Sequence, residues 1–212
     1  MTHNKGKTMK QKLIIIGGGG HAKVIIDAVL AGDKYEVHGI IDQKLAVGTK
    51  VLGVPVLGTD SMLSELFGQG IKNAFIGVGS IGDTSVRRDI YEKLKSVGFN
   101  LPVIIHPKAV VARDVEFGEG TFVAASATIN PGTKIGKNVI INTSSSIDHD
   151  SRIGDFVHIA PGAVLCGTVT VGERTHIGLG ANVVQSVNIG KNCFVPAGIL
   201  VKNDQAEGTK CE

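Results

Sequence analysis

The chain has no tryptophan, two tyrosines and seven phenylalanines among 212 residues, so its cores must be built mainly from aliphatic side chains. Its three cysteines, irregularly spaced, supply neither a disulfide framework nor a Cys-x-x-Cys zinc pair, and fit a reducing, cytoplasmic setting. No apolar run approaches the roughly 18 residues of a membrane span, and no secretory signal opens the sequence, so no membrane partner is expected. Net charge is only +3, and neither half carries a stripe of Lys and Arg, which argues against nucleic acid as a partner. What the chain holds in excess is glycine, 29 residues, where an average protein has roughly 7 %.

Much of that glycine belongs to a repeat. An apolar residue recurs at every sixth position: Ile105, Val111, Phe117, Val123, Ile129, Ile135, Ile141, Ile147, Ile153, Ile159, Leu165, Val171, Ile177, Val183, Ile189, Val195 and Val201. A helix cannot use this spacing, because six residues at 100° each turn successive side chains to different sides. A strand can, since six is a multiple of its period of two. Two residues before each rung stands a small or β-branched residue, such as Ala127, Thr133, Ala163 or Ala181, which shares the inward face. Glycine follows the rung at Gly118, Gly136, Gly154, Gly172 and Gly190, a superperiod of 18. Three hexapeptides per turn, with one corner needing a special backbone angle, would produce that pattern. The expectation is a triangular parallel β-helix of a little over five coils, on the order of 25 Å tall.

Ahead of the repeat, short apolar runs alternate with amphipathic stretches. Strands are predicted at 13–16, 37–41, 74–78 and near Val103, and helices at 21–30, 61–67 and 86–97. Alternating strands and helices indicate a parallel sheet, too short for a full dinucleotide fold and equivalent to one Rossmann-like half. The division is therefore 1–11 as a disordered leader, 12–101 as an α/β domain, 102–203 as the β-helix and 204–212 as a flexible tail.

Gly17-Gly18-Gly19-Gly20-His21-Ala22 satisfies G-x-G-x-x-A between a strand and a helix. Backbone free of side chains lets phosphate approach, and a helix start offers unpaired N–H groups. Asp42, about 20 residues on, could bind a ribose hydroxyl or base edge, and Gly79 would reach the same sheet edge. A nucleotide sugar suits this half-domain better than a nicotinamide cofactor, whose second binding half is missing; a ligand-free tight turn is the structural alternative.

On the β-helix the candidate chemistry lies in His106, His149, His158 and His176. His149, in Asp148-His149-Asp150, falls two places after a rung and so at a corner. A general base needs a neutral imidazole with a carboxylate to fix its tautomer. Asp150 is the better orienter and Asp148 the second, against the alternative of a merely solvated, charged corner. Cys166 points outward and offers a covalent alternative. His158 and His176, 18 apart, stack and could share an ion with a third ligand from a neighbouring prism, which would make a zinc lyase.

The run from Asn142 to His158, together with Gly17-Gly18-Gly19-Gly20-His21, resembles the NeuD/PglD-type bacterial sugar acetyltransferases. The resemblance implies a left-handed parallel β-helix, a cytoplasmic homotrimer, acetyl-CoA held between neighbouring prisms, and a front domain that holds a nucleotide sugar. By the same resemblance His149 is the catalytic base and Asp150 its acidic partner, where the family often has glutamate. His158, Gly167, Gly178 and Ala181 are the implied acetyl-CoA residues, with the Gly167 N–H as oxyanion donor and no metal. Gly18, Gly19, Gly20, His21, Asp42 and Gly79 are the implied substrate residues. The implied reaction is N-acetylation of a nucleotide-linked amino sugar for a surface glycan, with O-acetylation of sialic acid, a zinc lyase and a non-catalytic binding trimer as alternatives.

Overall fold

A computed structural model describes residues 10–211. Lys10 leads directly into the front sheet, with β1 at Gln11–Ile16, followed by α1 (Gly20–Ala31), β2 (Tyr35–Ile41), β3 (Lys50–Val51), β4 (Val54–Gly58), α2 (Leu63–Gly68), β5 (Asn73–Ile76) and α3 (Ser85–Val97). Of the leader expected over 1–11, residues 1–9 lie outside the described residues, and Gln11 already pairs with Tyr35. The sheet order is β3-β4-β2-β1-β5, parallel throughout except for the β3/β4 hairpin at its edge.

Leu13, Ile14 and Ile15 have no exposed surface, because β1 is central and covered on both faces. One face receives α1 through Ala22, Ile25, Ile26 and Val29; the other receives α2 and α3 through Leu63, Leu66 and Leu94. This is the double burial that makes a parallel strand read as a continuous apolar run. The β3/β4 hairpin was not anticipated from sequence. Its two-residue turn, Leu52-Gly53, takes positive φ at both positions, and Leu52 is an unusual residue for that conformation, so the turn leaves no strong signal. The strand expected near Val103 is Ile104–Ile105, which belongs to the first coil of the repeat rather than to the front sheet.

From there the chain forms a left-handed parallel β-helix. Seventeen two-residue strands each end on one rung of the apolar ladder and sort into three parallel sheets, here faces one, two and three. Face one carries rungs Ile105, Val123, Ile141, Ile159, Ile177 and Val195; face two Val111, Ile129, Ile147, Leu165, Val183 and Val201; face three Phe117, Ile135, Ile153, Val171 and Ile189. Residues 18 apart are register partners, as in Ile141 and Ile159. Rungs and small residues together fill the prism, and the inward hydroxyls are satisfied by corner carbonyls, as when Thr175 Oγ1 donates to Gly190 O at 2.8 Å.

The glycine superperiod has a different cause from the one expected. Gly118, Gly136, Gly154, Gly172 and Gly190 are absent from the positive-φ residues; the left-handed angle falls two residues later, at Gly120, Asn138, Phe156, Arg174 and Asn192. The glycines are required by stacking. A Cβ on Gly118 would lie 2.5 Å from the carbonyl carbon of Gly136, and one on Gly172 would lie 2.5 Å from the backbone nitrogen of Lys191.

Two junctions complete the molecule. The front domain sits on face one, where Ile104, Phe122 and Ile140 join the α1 side of its core. Phe122 is fully buried there, and truncating it to Ala would cost roughly 3–5 kcal/mol. Along α3, Tyr91 and Lys95 both donate to Glu119 of the β-helix, at 2.7 and 2.9 Å. At the far end, residues 204–211, expected as a flexible tail, instead close a last coil. Gln205 and Lys210 bridge to Ile189 and Phe194, and Cys211 is buried in the prism core, because the open end would otherwise expose backbone groups and Val195. Among the described residues no helix is long and apolar enough to cross a membrane.

Candidate active site

His149 stands at the corner between faces two and three. The turn is built by Asp148, whose Oδ1 accepts from the His149 backbone N–H at 2.8 Å and from Asn130 Nδ2 at 2.7 Å, and by Asp150, whose φ is 58°. The Asn130 hydrogen bond, with that from His149, holds the Asp148 carboxyl below the usual carboxylate range. Asp150 makes the side-chain contact, with Oδ2 2.9 Å from His149 Nδ1. A carboxylate only accepts, so Nδ1 carries the proton and Nε2 keeps its lone pair. The hydrogen bond to Asp150, aided by the charges of Asp148 and Asp150 and opposed by slight desolvation, raises His149 above the ordinary histidine value.

One coil on, Gly167 lies directly beneath the imidazole. Among the described residues its N–H has no hydrogen-bond partner, whereas the next residue, Thr168, donates its N–H to His149 O at 2.8 Å. The corner therefore offers a proton acceptor and an unused backbone donor side by side. Cys166 is exposed next to Gly167 and points outward as expected.

A cleft of about 520 Å³ opens at the carboxyl end of the front sheet, lined by the glycine loop, Asp42, Lys44, Gly79 and Lys93. Gly19 and Gly20 have nothing within 4 Å of where a Cβ would be, so backbone is openly presented there. Gly18 is more closely covered, since a Cβ there would lie 2.5 Å from Cδ1 of the exposed Leu45 side chain. The Asp42 carboxylate accepts from the N–H groups of Gly18, Lys44 and Leu45 at 2.7, 2.8 and 2.9 Å. These bonds outweigh desolvation and lower its pKa. Asp42 thus shapes the loop, and its expected contact with a ribose or base would use lone pairs left over from that task.

Gly20, His21 and Gly79 line both this cleft and a second one of about 630 Å³ between the front domain and face one, which is lined also by Ser80, Asn142 and His158. His158 is buried; Nδ1–H donates to Ser80 O at 2.7 Å, so Nε2 accepts from Asn142 Nδ2 at 3.2 Å. Desolvation, with the nearby His176 and Arg87, pushes His158 down to about 4 despite the Ser80 bond. Desolvation and then Arg87 push His21 down to about 3. His158 and His176 do stack, with ring centroids 4.9 Å apart, but both His158 nitrogens are engaged, leaving no lone pair for a shared ion. His106 lies on the first coil, its Nδ1 accepting from Lys108 N–H, away from both clefts.

The expected residues thus fall into two groups. Gly18, Gly19, Gly20, His21, Asp42 and Gly79 gather at the front cleft, with His158 at its continuation. His149, Asp150 and Gly167 lie at another corner and line neither cleft. Gly178 and Ala181 fit no ligand site within the chain. Ala181 faces the prism core with no exposed surface, and Gly178 is pressed on the next coil, where a Cβ would lie 2.5 Å from Pro196. Their N–H groups are spent on Gly178 O and Val195 O. Sequence reasoning missed the roles of Asn130, Asn142 and Arg87. Asn130 sits one coil from Asp148 in the 18-residue register, a signal that could have located it, whereas Asn142 stands 16 residues before His158 and outside that register.

Comparison with known proteins places these features in context. Residues 12–94 match the PglD N-terminal domain, 132–167 the bacterial transferase hexapeptide (six repeats) and 168–202 the hexapeptide repeat of succinyl-transferase. UDP-N-acetylbacillosamine N-acetyltransferase of Bacillus subtilis (strain 168) is 33% identical over 117 residues, covering 54% of this chain and 52% of that protein. The chain thus matches about half the length of that curated relative. A histidine-to-asparagine variant of perosamine N-acetyltransferase from Caulobacter crescentus, solved with CoA and GDP-perosamine, is 41% identical, covers 92% of this chain and 90% of that one, and superposes with a TM-score of 0.86. The acetyltransferase domain of PglB from Neisseria gonorrhoeae FA1090, in complex with acetyl coenzyme A, is 35% identical, with 94% and 95% coverage and a TM-score of 0.85.

Proposed function

The chain belongs to the PglD-type family of hexapeptide-repeat sugar acetyltransferases, and on that premise we propose that it transfers the acetyl group of acetyl-CoA to the amino group of a nucleotide-linked amino sugar. The observation that carries this reading is the His149 corner, with Nδ1 held by Asp150, Nε2 unengaged and the Gly167 N–H beside it. The nucleotide end enters the front cleft, its diphosphate against 17–20 and the start of α1. The neutral sugar amine attacks the thioester carbonyl while His149 Nε2 takes the amine proton. The carbonyl oxygen, now an oxyanion, is stabilised by the Gly167 N–H. Collapse of the tetrahedral intermediate forms the amide and expels the CoA thiolate, which takes the proton back from the imidazolium.

Because the His149 corner and the front cleft lie on different sides of one chain, the reading includes a homotrimer in which a neighbour's corner meets this cleft. Face two supports it. Face one is covered by the front domain and face three presents Glu116, Lys134 and Arg152, whereas the outward positions of face two, Val110, Thr128, Ser146, Val164, Asn182 and Leu200, are all uncharged. Val110 and Leu200 there are 64% and 52% exposed.

A thiol-release assay with acetyl-CoA tests the reaction against UDP- and GDP-linked 4-amino sugars and free sialic acid. Selective turnover of one nucleotide-linked amino sugar is expected; turnover of sialic acid alone, or of none, would overturn the reading. Light scattering on the eluting protein tests the trimer, which a monomeric mass would sink.

A further inference from the structure

Arg87 is a buried cation with no counter-ion. Its side chain is 1% exposed, and its guanidinium donates to three backbone carbonyls, those of Ile76, Val78 and Asn138. Among the described residues no carboxylate pairs with it, and burial alone lowers its pKa to about 10. An uncompensated buried charge is costly, so it persists where something offsets that cost.

The position of the charge suggests what does. Residues 77–79 line the front cleft, directly under the glycine loop: a Cβ on Gly77 would lie 2.8 Å from Gly17 O, and one on Gly17 would lie 2.7 Å from Val78 Cγ2. The guanidinium therefore sits one backbone layer behind the loop. That loop opens α1, which has no side-chain cap and no acidic residue in its first turn. The acids lining the cleft are mostly committed elsewhere. Asp42 is held by three N–H groups and Asp60 by Lys93, while Asp89 is exposed to solvent. Across a single layer of protein the field of Arg87 is far less screened than that of a surface lysine.

We propose that Arg87 is the electrostatic floor of the diphosphate subsite, a positioning residue whose missing counter-charge is the phosphate anion that binds at 17–20. The proposal rests on the nucleotide-sugar reading for the identity of the ligand, but itself requires only a polyanionic phosphate.

Binding of inorganic pyrophosphate, GDP, UDP, guanosine and uridine to the full chain, measured by calorimetry, separates charge from architecture. Arg87→Gln keeps N–H donors for the carbonyls but is neutral; Arg87→Lys keeps the charge. Pyrophosphate affinity is expected to fall about tenfold or more in Arg87→Gln and to stay within about threefold in Arg87→Lys, with nucleoside affinity unchanged in both. A buried lysine also neutralises at lower pH than arginine. Arg87→Lys should therefore lose pyrophosphate affinity between about pH 7 and 9.5 relative to the wild type, an arm that holds even if the Gln variant does not fold. Unchanged pyrophosphate binding in Arg87→Gln, equal losses for nucleosides and diphosphates, or a flat pH response in Arg87→Lys would each overturn the proposal. Pyrophosphate binding that depends on Arg87, with no tighter binding of GDP or UDP, would support it and instead count against the nucleotide reading.

Discussion

The imidazole of His149 rests on the α-carbon of Gly167, one coil away: a Cβ there would lie 2.6 Å from Nε2 and 2.7 Å from Cε1. No side chain but hydrogen fits without moving the ring. Gly167→Ala should therefore displace Nε2 while leaving the coil intact. A misplacement on the order of 1 Å costs up to about 100-fold in turnover. Steady-state thiol release, alongside a thermal melt showing a folded protein, checks this; an Ala variant with wild-type kcat would show that the ring is not the base.

Removing the imidazole itself should cost more. His149→Ala is expected to lose roughly 10²–10⁴-fold in kcat, the usual contribution of a general base, while Cys166→Ala stays near wild type. Equal losses in both variants would point to the covalent route instead.

Protonation of His149 gives a pH profile with a definite sign. The base works when neutral, and its pKa is raised chiefly by the Asp150 hydrogen bond, so activity should rise with pH through a value above the ordinary 6.5. Asp150→Asn removes the charge and leaves only a neutral amide oxygen to accept from Nδ1, and should shift that limb to lower pH while reducing the plateau. The same raised pKa means that the His149–Asp150 pair stabilises the folded chain below the unfolded value, and that this contribution is lost as pH rises through the folded one. A pH–rate profile that does not move in Asp150→Asn would refute the pairing.

The ladder was legible because a six-residue period survives only if every rung faces one core, and none of its 17 positions departs from it. The location of His149 at a corner followed from the same count. The contents of the corner did not, because Asn130 approaches Asp148 from the previous coil and Gly167 approaches His149 from the next, and each contact depends on which face a residue occupies. Ala181 shows what the period adds to the resemblance: the coenzyme role implied for it would have to use its backbone, because it occupies the small inward position two before a rung, which the period alone marks as core. Arg87 was invisible because a buried arginine in an amphipathic helix has the same sequence signature as an exposed one.

Acid should unfold the protein through two histidines whose charged forms the fold disfavours. His21 and His158 titrate at about 3 and about 4 in the fold against 6.5 when exposed, chiefly from desolvation. Below pH 6.5 the unfolded chain binds protons that the native state refuses. Stability then falls by about 1.4 kcal/mol per pH unit per histidine until the native state is itself protonated near pH 4 for His158 and pH 3 for His21. Urea denaturation between pH 7 and 4 should show this slope, and His158→Phe should make it shallower by one proton. A slope unchanged in that variant would mean that His158 is already protonated in the native state.

The corner glycines permit a test in which one substitution has opposite outcomes at two positions. Gly180 has φ 62° and nothing within 4 Å of its Cβ site, so it is glycine for its backbone angle. Asparagine visits that region readily, and Gly180→Asn should cost less than about 1 kcal/mol. Gly172 is the reverse case. It lacks a positive φ, but its Cβ would lie 2.5 Å from the backbone nitrogen of Lys191 and 2.6 Å from the carbonyl carbon of Gly190. Those atoms belong to the next coil, which cannot withdraw without breaking the Gly172 N–H bond to Ile189 O at 2.7 Å. Gly172→Asn should therefore cost at least the roughly 1–3 kcal/mol of an overpacked core. Paired urea melts decide the matter: equal costs at the two sites would mean that backbone angle governs both corners, and that the close stacking of coils does not explain the 18-residue glycine period.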